Sequence, residues 1–281
     1  MAKRYSRQEF LDRLWNEINS GKPLVMTGAG SGICAKFIER GGVDILGVYN
    51  TGYLRMHGYA SLGGMLPIFD SNEIVYNMAK REVLPQVKEV PVILGVGGVD
   101  PFRDMPLYLE DCKRIGISGV HNFPTVAWHE GEFRNTLEKT NLGYQHEIDM
   151  LNVARELDLL TIGYAFNEAD LDNLMKNAAP DIFIYHAGIT QGGSTGYSDS
   201  SPIEEMATRT QKHAERAKQI KDDVILLAHG AGLVNPEDAQ FVMDHTICHG
   251  VQLGSSIERM AMERPLEQRA QAFKDIRFPK A

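Results

Sequence analysis

Residues 224–259, VILLAHGAGLVNPEDAQFVMDHTICHGVQLGSSIER, read as two consecutive strand-to-helix junctions. Val224–Ala228 is a short apolar strand, Gly230 and Gly232 form a turn, and Asn235-Pro236-Glu237-Asp238 opens a helix. A second strand, Gly250–Leu253, runs into Gly254-Ser255-Ser256 and another helix. Junctions bare of bulky side chains expose backbone N–H groups, and the helix N-termini behind them favour negative charge. In a closed barrel of eight parallel strands, the last two junctions commonly hold a phosphate. The segment therefore predicts an architecture and a ligand type: a barrel, and an anion held by Gly230, Gly232, Gly254, Ser255 and Ser256.

The rest of the chain follows the same alternation. Short apolar runs at Leu24–Thr27, Asp44–Val48, Val92–Val96, Gly119–His121, Leu160–Tyr164 and Ile182–Tyr185 bring the predicted strands to eight. Helical periodicity falls between them at Asn72–Lys88, Met105–Ile115, Tyr144–Leu157, Ala169–Ala178, Pro202–Ile220, Pro236–His245 and Ser256–Arg264. Apolar strands without clean alternation fit a parallel sheet covered on both faces, and strict strand–helix alternation makes the fold α/β. Eight units in about 250 residues predict a (β/α)8 TIM barrel. We read one domain, 1–281: an N-terminal helix within 1–22, the barrel over 23–264, and a C-terminal helical tail over 265–281. Phe10, Leu11, Leu14, Trp15 and Ile18 share one face of the first helix, which is expected to plug the barrel's N-terminal end. Leu266, Ala270, Phe273 and Ile276 recur at helical spacing in the tail, for packing on the barrel or on a neighbouring subunit of a homo-oligomer. GAGSGI after strand 1 partly matches a dinucleotide-binding loop. The acidic residue expected after strand 2 is absent there, where Tyr49-Asn50-Thr51 stands instead.

A net charge of −8, with no Lys/Arg run interleaved with aromatics, argues against a nucleic-acid partner. No apolar run approaches the roughly 20 residues of a membrane span, and the N-terminus lacks a signal-peptide core. Cys34, Cys112 and Cys248 are far apart and show no metal-binding spacing. A cytoplasmic protein acting on a small anionic metabolite, without membrane or nucleic acid, is the expectation.

In a barrel the active site gathers at the C-terminal ends of the strands. That ring includes Gly28, Asn50, Asp100, Ser255, Ser256 and three histidines, His121, His186 and His229. Imidazoles at strand ends suit acid/base work near neutral pH. They also suit a divalent metal shared by His186 and His229 with Asp100 or Glu258, or a neutral structural role. Two long junctions, 49–71 and 122–142, read as binding loops without secondary structure and bring Arg55, His57, Trp128, His129, Glu130 and Arg134 within reach of the mouth. The junction HAGITQGGSTGYSDSSP, at 186–202, is rich in glycine and hydroxyls and is either a lid or a plain connection.

Several longer segments carry a family resemblance: GAGSGICAKFIERGGVDILGVYNTGYLRMHG, PVILGVGGVDPFRD, HNFPTVAWHEGEFRNTLEKTNLGYQHEIDML, HAGITQGG and GVQLGSSIER. Across nearly its whole length the chain resembles the phosphoenolpyruvate hydrolase-like TIM-barrel family, also described as TIM-barrel signal-transduction proteins. The resemblance implies a barrel shaped like the phosphoenolpyruvate mutase and isocitrate lyase enzymes. It implies a hydrolase or lyase acting on phosphonopyruvate, phosphoenolpyruvate or a related 2-oxo acid, or alternatively a barrel that binds a small molecule without turnover. Mutase-type enzymes hold magnesium with acidic residues, and Asp100 is the comparable strand-end carboxylate here. The expected roles are then as follows. Gly28 and the strand 7 and 8 residues hold the anion, Asn50 and Arg55 orient a carboxylate, His186 and His229 move the proton, and Asp100 holds a divalent metal such as Mg.

Overall fold

In the computed structural model, eight parallel strands pair in chain order and β8 closes onto β1. The structure describes residues 2–198 and 201–278; residues 199–200 of the junction after the sixth strand and 279–281 of the tail lie outside the described residues. The strands are β1 Leu24–Gly28, β2 Ile45–Val48, β3 Val92–Gly95, β4 Gly119–His121, β5 Leu160–Ala165, β6 Ile182–His186, β7 Ile225–His229 and β8 Gly250–Leu253. Each coincides with a predicted strand to within one residue at either end. This is a (β/α)8 TIM barrel.

Alternation along the strands divides the apolar residues into two cores. Leu24, Met26, Ile45, Ile93, Leu160, Ile162, Ile182, Ile184, Ile225 and Leu227 point inward and fill the barrel. Their neighbours, including Leu46, Val92, Leu94, Val120, Phe183, Leu226 and Ala228, point outward and pack under the helices. Helix α1 (Arg7–Asn19) plugs the N-terminal end with Phe10 and Leu14, both fully buried in the inner core. Its start is fixed by a capping box between Ser6 and Glu9.

Helices α2 (Gly32–Arg40), α4 (Ser71–Met78), α5 (Met105–Ile115), α7 (Gln145–Glu156), α8 (Glu168–Asn177), α9 (Ile203–Ile220) and α10 (Pro236–His245) clothe the barrel. The two long junctions differ from expectation, because both carry structure of their own. The first holds α3 (Asn50–Met56) and a 3-10 turn at Ser61–Met65; the second holds a 3-10 turn at Val126–Trp128 and α6 (Gly131–Lys139). Helix α6 buries none of its residues and offers only Phe133 and Leu137 as an apolar pair at helical spacing. Helix α3 is interrupted in sequence by Gly52, which is needed because a Cβ there would sit 3.1 Å from the Gly30 backbone.

After β8 the chain forms α11 (Ser255–Glu258) and then α12 (Met260–Lys274), which runs through Pro265. None of α12 is buried, and Leu266 and Phe273 are exposed; of the two expected placements, the barrel and a neighbouring subunit, they do not take the first. Among the described residues no helix is long and apolar enough to cross a membrane.

Candidate active site

The site is the next step of the inward-facing pattern. β6 places Ile182 and Ile184 in the inner core and then His186; β7 places Ile225 and Leu227 there and then His229. The two histidines are register partners on adjacent strands. By the same two-residue step, Tyr164 follows Ile162 on β5 and Tyr49 stands two residues beyond Gly47 of β2. Gly47 and Gly95 make room for the Tyr49 ring, since a Cβ on either would lie within 2.5 Å of it.

These residues line a cavity at the barrel mouth with about 690 Å³ of empty space, its open entrance included. Gly28, Arg55, His186, His229, Gly254 and Ser255 of the predicted set are on its wall. Ser61, Leu62 and Met65 from the 3-10 turn, Trp128 from the β4 junction, and Gln252 complete much of the rest.

The hydrogen bonds assign the histidine protons. His186 Nδ1 accepts the Gly188 N–H at 3.2 Å, so the neutral ring carries its proton on Nε2. His229 Nδ1 lies 2.8 Å from the Gln252 carbonyl oxygen, which can only accept, so this ring is protonated on Nδ1 and its Nε2 is an open acceptor. Burial holds both rings neutral: it pushes His186 well below the usual imidazole value, helped by His229 and His121, and His229 down to about 4. Behind them Tyr164 donates to Gln252 Oε1, Gln252 Nε2 donates to Tyr49 at 3.2 Å, and the Tyr49 hydroxyl meets His121 Nδ1 at 2.8 Å. This fully buried chain fixes the back wall.

Arg55 supplies the charge. It and Glu258 are buried, with Arg55 Nε donating to Glu258 Oε2 at 2.7 Å. Arg55 Nη1 donates to Ser61 Oγ at 3.1 Å, and Ser61 meets Ser255 at 3.4 Å. Two of the three glycines of GAGSGI, Gly28 and Gly30, serve this pair, while Gly32 makes room for Glu82 and Gln86. A Cβ on Gly28 would approach Arg55 to 3.1 Å, and one on Gly30 would meet Glu258 at 2.6 Å. Their spacing reflects close packing around an ion pair.

Five predicted residues lie off the cavity wall. Asp100 accepts hydrogen bonds from Asn72, the Phe102 amide and Arg103. Burial would raise its carboxyl, but those bonds outweigh it and hold it below the usual value. It braces the β3 junction. Asn50 is buried and donates to the Gly64 carbonyl at 2.7 Å and Ser71 Oγ at 2.9 Å. Gly230, at φ +96°, lets the chain pass Gly188, whose carbonyl oxygen would lie 2.2 Å from an added Cβ. Gly232 packs against the start of α9, and the buried Ser256 hydroxyl has no partner. At the strand 7 junction Asn235 and Asp238 cap α10, and the Asp238 carboxylate takes the Val234 and Asn235 N–H groups, which are therefore not free for an anion. Of the loop candidates, Arg134 pairs with Asp170 at 2.7 Å. Only Trp128 and Arg55 reach the wall.

The donor set does not fit magnesium, a hard cation that needs carboxylate and other oxygen ligands. Among the described residues no wall residue carries a carboxylate, Asp100 is engaged elsewhere, and Glu258, off the wall, gives Oε2 to Arg55 and is left with one buried, unpartnered oxygen, Oε1. Among the described residues no group of three His, Cys, Asp or Glu side chains is placed to hold a metal.

Residues 9–276 match the phosphoenolpyruvate hydrolase-like family. Two tomato (Solanum lycopersicum) proteins, ToMV resistance protein Tm-1(GCR237) and ToMV susceptible protein tm-1(GCR26), are each 43% identical over 96% and 95% of the chain. The chain spans 36% and 35% of their lengths, about a third of these curated relatives. Among solved structures, phosphonopyruvate hydrolase in complex with oxalate and Mg++ superposes with a TM-score of 0.60, covering 95% of this chain and 87% of that one. 2,3-Dimethylmalate lyase, a phosphoenolpyruvate mutase/isocitrate lyase superfamily member, gives 0.57 over 96% and 89%. Both are 14% identical, a likeness of fold.

Proposed function

The chain belongs to the phosphoenolpyruvate hydrolase-like family, and from that premise we propose that it is a hydrolase or lyase cleaving a small 2-oxo acid at the barrel mouth. The observation that carries this reading is the opposed protonation of His186 and His229 beside Arg55. A cleavage next to a carbonyl needs a base to take a proton, from water or from the substrate, and a donor to the oxygen where negative charge gathers. His229 Nε2 is the acceptor and His186 Nε2–H the donor, the latter neutral and so able to polarise a carbonyl without releasing its proton. Arg55, with Ser61 and Ser255 beside it, receives the substrate carboxylate. In the hydrolytic case the hydroxide so formed bonds to the carbonyl carbon, the bond from that carbon to its neighbour breaks with the electron pair going to the leaving carbon, and the proton held by His229 passes to that carbon.

The experiment is a proton-NMR assay of purified protein against a panel of 2-oxo acids. Cleavage products are expected, and His229→Gln is expected to lower kcat by roughly 10²–10⁴-fold, the span of acid–base catalysis. Tight binding without products across the panel would make this a binding barrel, the alternative role, and end the enzymatic reading.

A further inference from the structure

We propose that the substrate is an acid with one carboxylate on an apolar or aromatic body, bound without a divalent cation. This rests on the reading above for the oxo acid, but binding alone tests it. The argument is one of charge and solvation. Among the described residues Arg55 is the single formal charge on the cavity wall, and with Nε and Nη2 turned to Glu258 it has only its Nη1 side, toward Ser61, to offer one carboxylate. A substrate carrying both a carboxylate and a phosphoryl or phosphonyl dianion would bring two or three negative charges into a cavity with no second cation. Neutral imidazoles cannot offset them, since burial holds His186 and His229 uncharged. Uncompensated charge removed from water is strongly opposed. A metal would cure the deficit, and the donor set for one is missing.

The rest of the wall asks for hydrocarbon. Leu62, Met65, Phe123, Trp128 and Ile189 face the cavity. Trp128 also packs edge-on against His186, with ring centroids 4.8 Å apart. Filling such a surface with an apolar body releases water from both sides. A compact polar acid such as oxalate would leave it bare.

Isothermal titration of the wild-type protein with phenylpyruvate, phosphonopyruvate and oxalate, each with EDTA and with added Mg²⁺, decides the matter. Phenylpyruvate is expected to bind at least tenfold tighter than the other two, with the same affinity in EDTA. Equal or tighter binding of phosphonopyruvate or oxalate, or binding that disappears in EDTA, overturns the proposal. A second variant tests the cause. Leu62 is 42% exposed, so Leu62→Lys should fold and add a cation at the wall. It is expected to move the preference at least fivefold toward phosphonopyruvate, and an unchanged ratio would count against the charge argument. Failure of the catalytic reading looks different: phenylpyruvate binds as expected and no acid is cleaved.

Discussion

His186 and His229 are register partners on adjacent strands, their ring centroids 4.5 Å apart and their planes at 85°. Each ties Nδ1 to the backbone, but one accepts there and the other donates. The pair therefore presents one N–H and one lone pair to the same cavity. Two chemically identical side chains become different reagents because the backbone groups behind them differ.

That assignment is directly observable. In ¹⁵N-edited NMR spectra correlating ring nitrogens with carbon-bound protons, His229 is expected as the Nδ1–H tautomer and His186 as the Nε2–H tautomer at pH 7. Identical tautomers for the two rings would remove the donor–acceptor pair and the mechanism built on it.

Acid stability follows from the same burial. The unfolded chain protonates histidine near the ordinary value of about 6.5, whereas His229 resists to about 4. Between those values the unfolded state binds more protons, so stability falls as pH drops, by up to about 1.4 kcal/mol per pH unit for each such histidine. His121 and His186 are shifted the same way, also by burial. Denaturant unfolding at pH 6.5, 6.0 and 5.5 is expected to show His229→Gln losing stability less steeply than wild type. Parallel slopes would show that His229 titrates normally.

The ion pair of Arg55 and Glu258 should be strongly non-additive. Glu258→Gln leaves a guanidinium buried without its carboxylate, and Arg55→Met leaves the converse; each is expected to cost about 3–5 kcal/mol of stability. The double variant removes both charges and is expected to recover a large part of that loss. A double-mutant cycle by urea unfolding measures it, and simple additivity would mean the pair is solvated and not a fixed part of the wall.

Much of this was legible in the chain. Short apolar runs such as ILLAH and IFIYH, alternating with helical segments, fit two-sided strands, so all eight were visible, and so were His186 and His229 at their ends. That Gly230, Gly232 and Asp100 lie off the cavity wall could not be read from the chain for one reason: glycine and aspartate at a junction look the same whether they receive a ligand or relieve crowding and pair with a neighbour. The deciding partners, Gly188, Asp238 and Arg103, are set by tertiary approach. Gln252 could have been found by stepping two residues inward from Gly250. Ser61, Leu62 and Met65 could not, because they reach the cavity through a 3-10 turn with no periodic signal.

Glu147 offers the last test. Fully buried on α7, it accepts the Asn122 amide on Oε2 and the Val126 N–H on Oε1, both at 2.7 Å, and so pins the loop that carries Phe123 to the cavity. Burial raises its carboxyl to about 8, against hydrogen bonds from Thr125, Val126 and Asn122 that favour the charged form. A carboxyl keeps lone pairs on both oxygens even when protonated; a glutamine amide turns one of them into a second donor facing a donor. Glu147→Gln is therefore expected to cost about 1–3 kcal/mol. The sign with pH is also fixed. The folded wild type holds a proton that the unfolded chain releases near its ordinary value, so wild-type stability falls as pH rises from about 4.5 towards 8, while the glutamine variant has no such dependence. The gap between the two should narrow on going from pH 6 to pH 8 in matched urea titrations, and a gap that stays constant would show that Glu147 is ionised throughout.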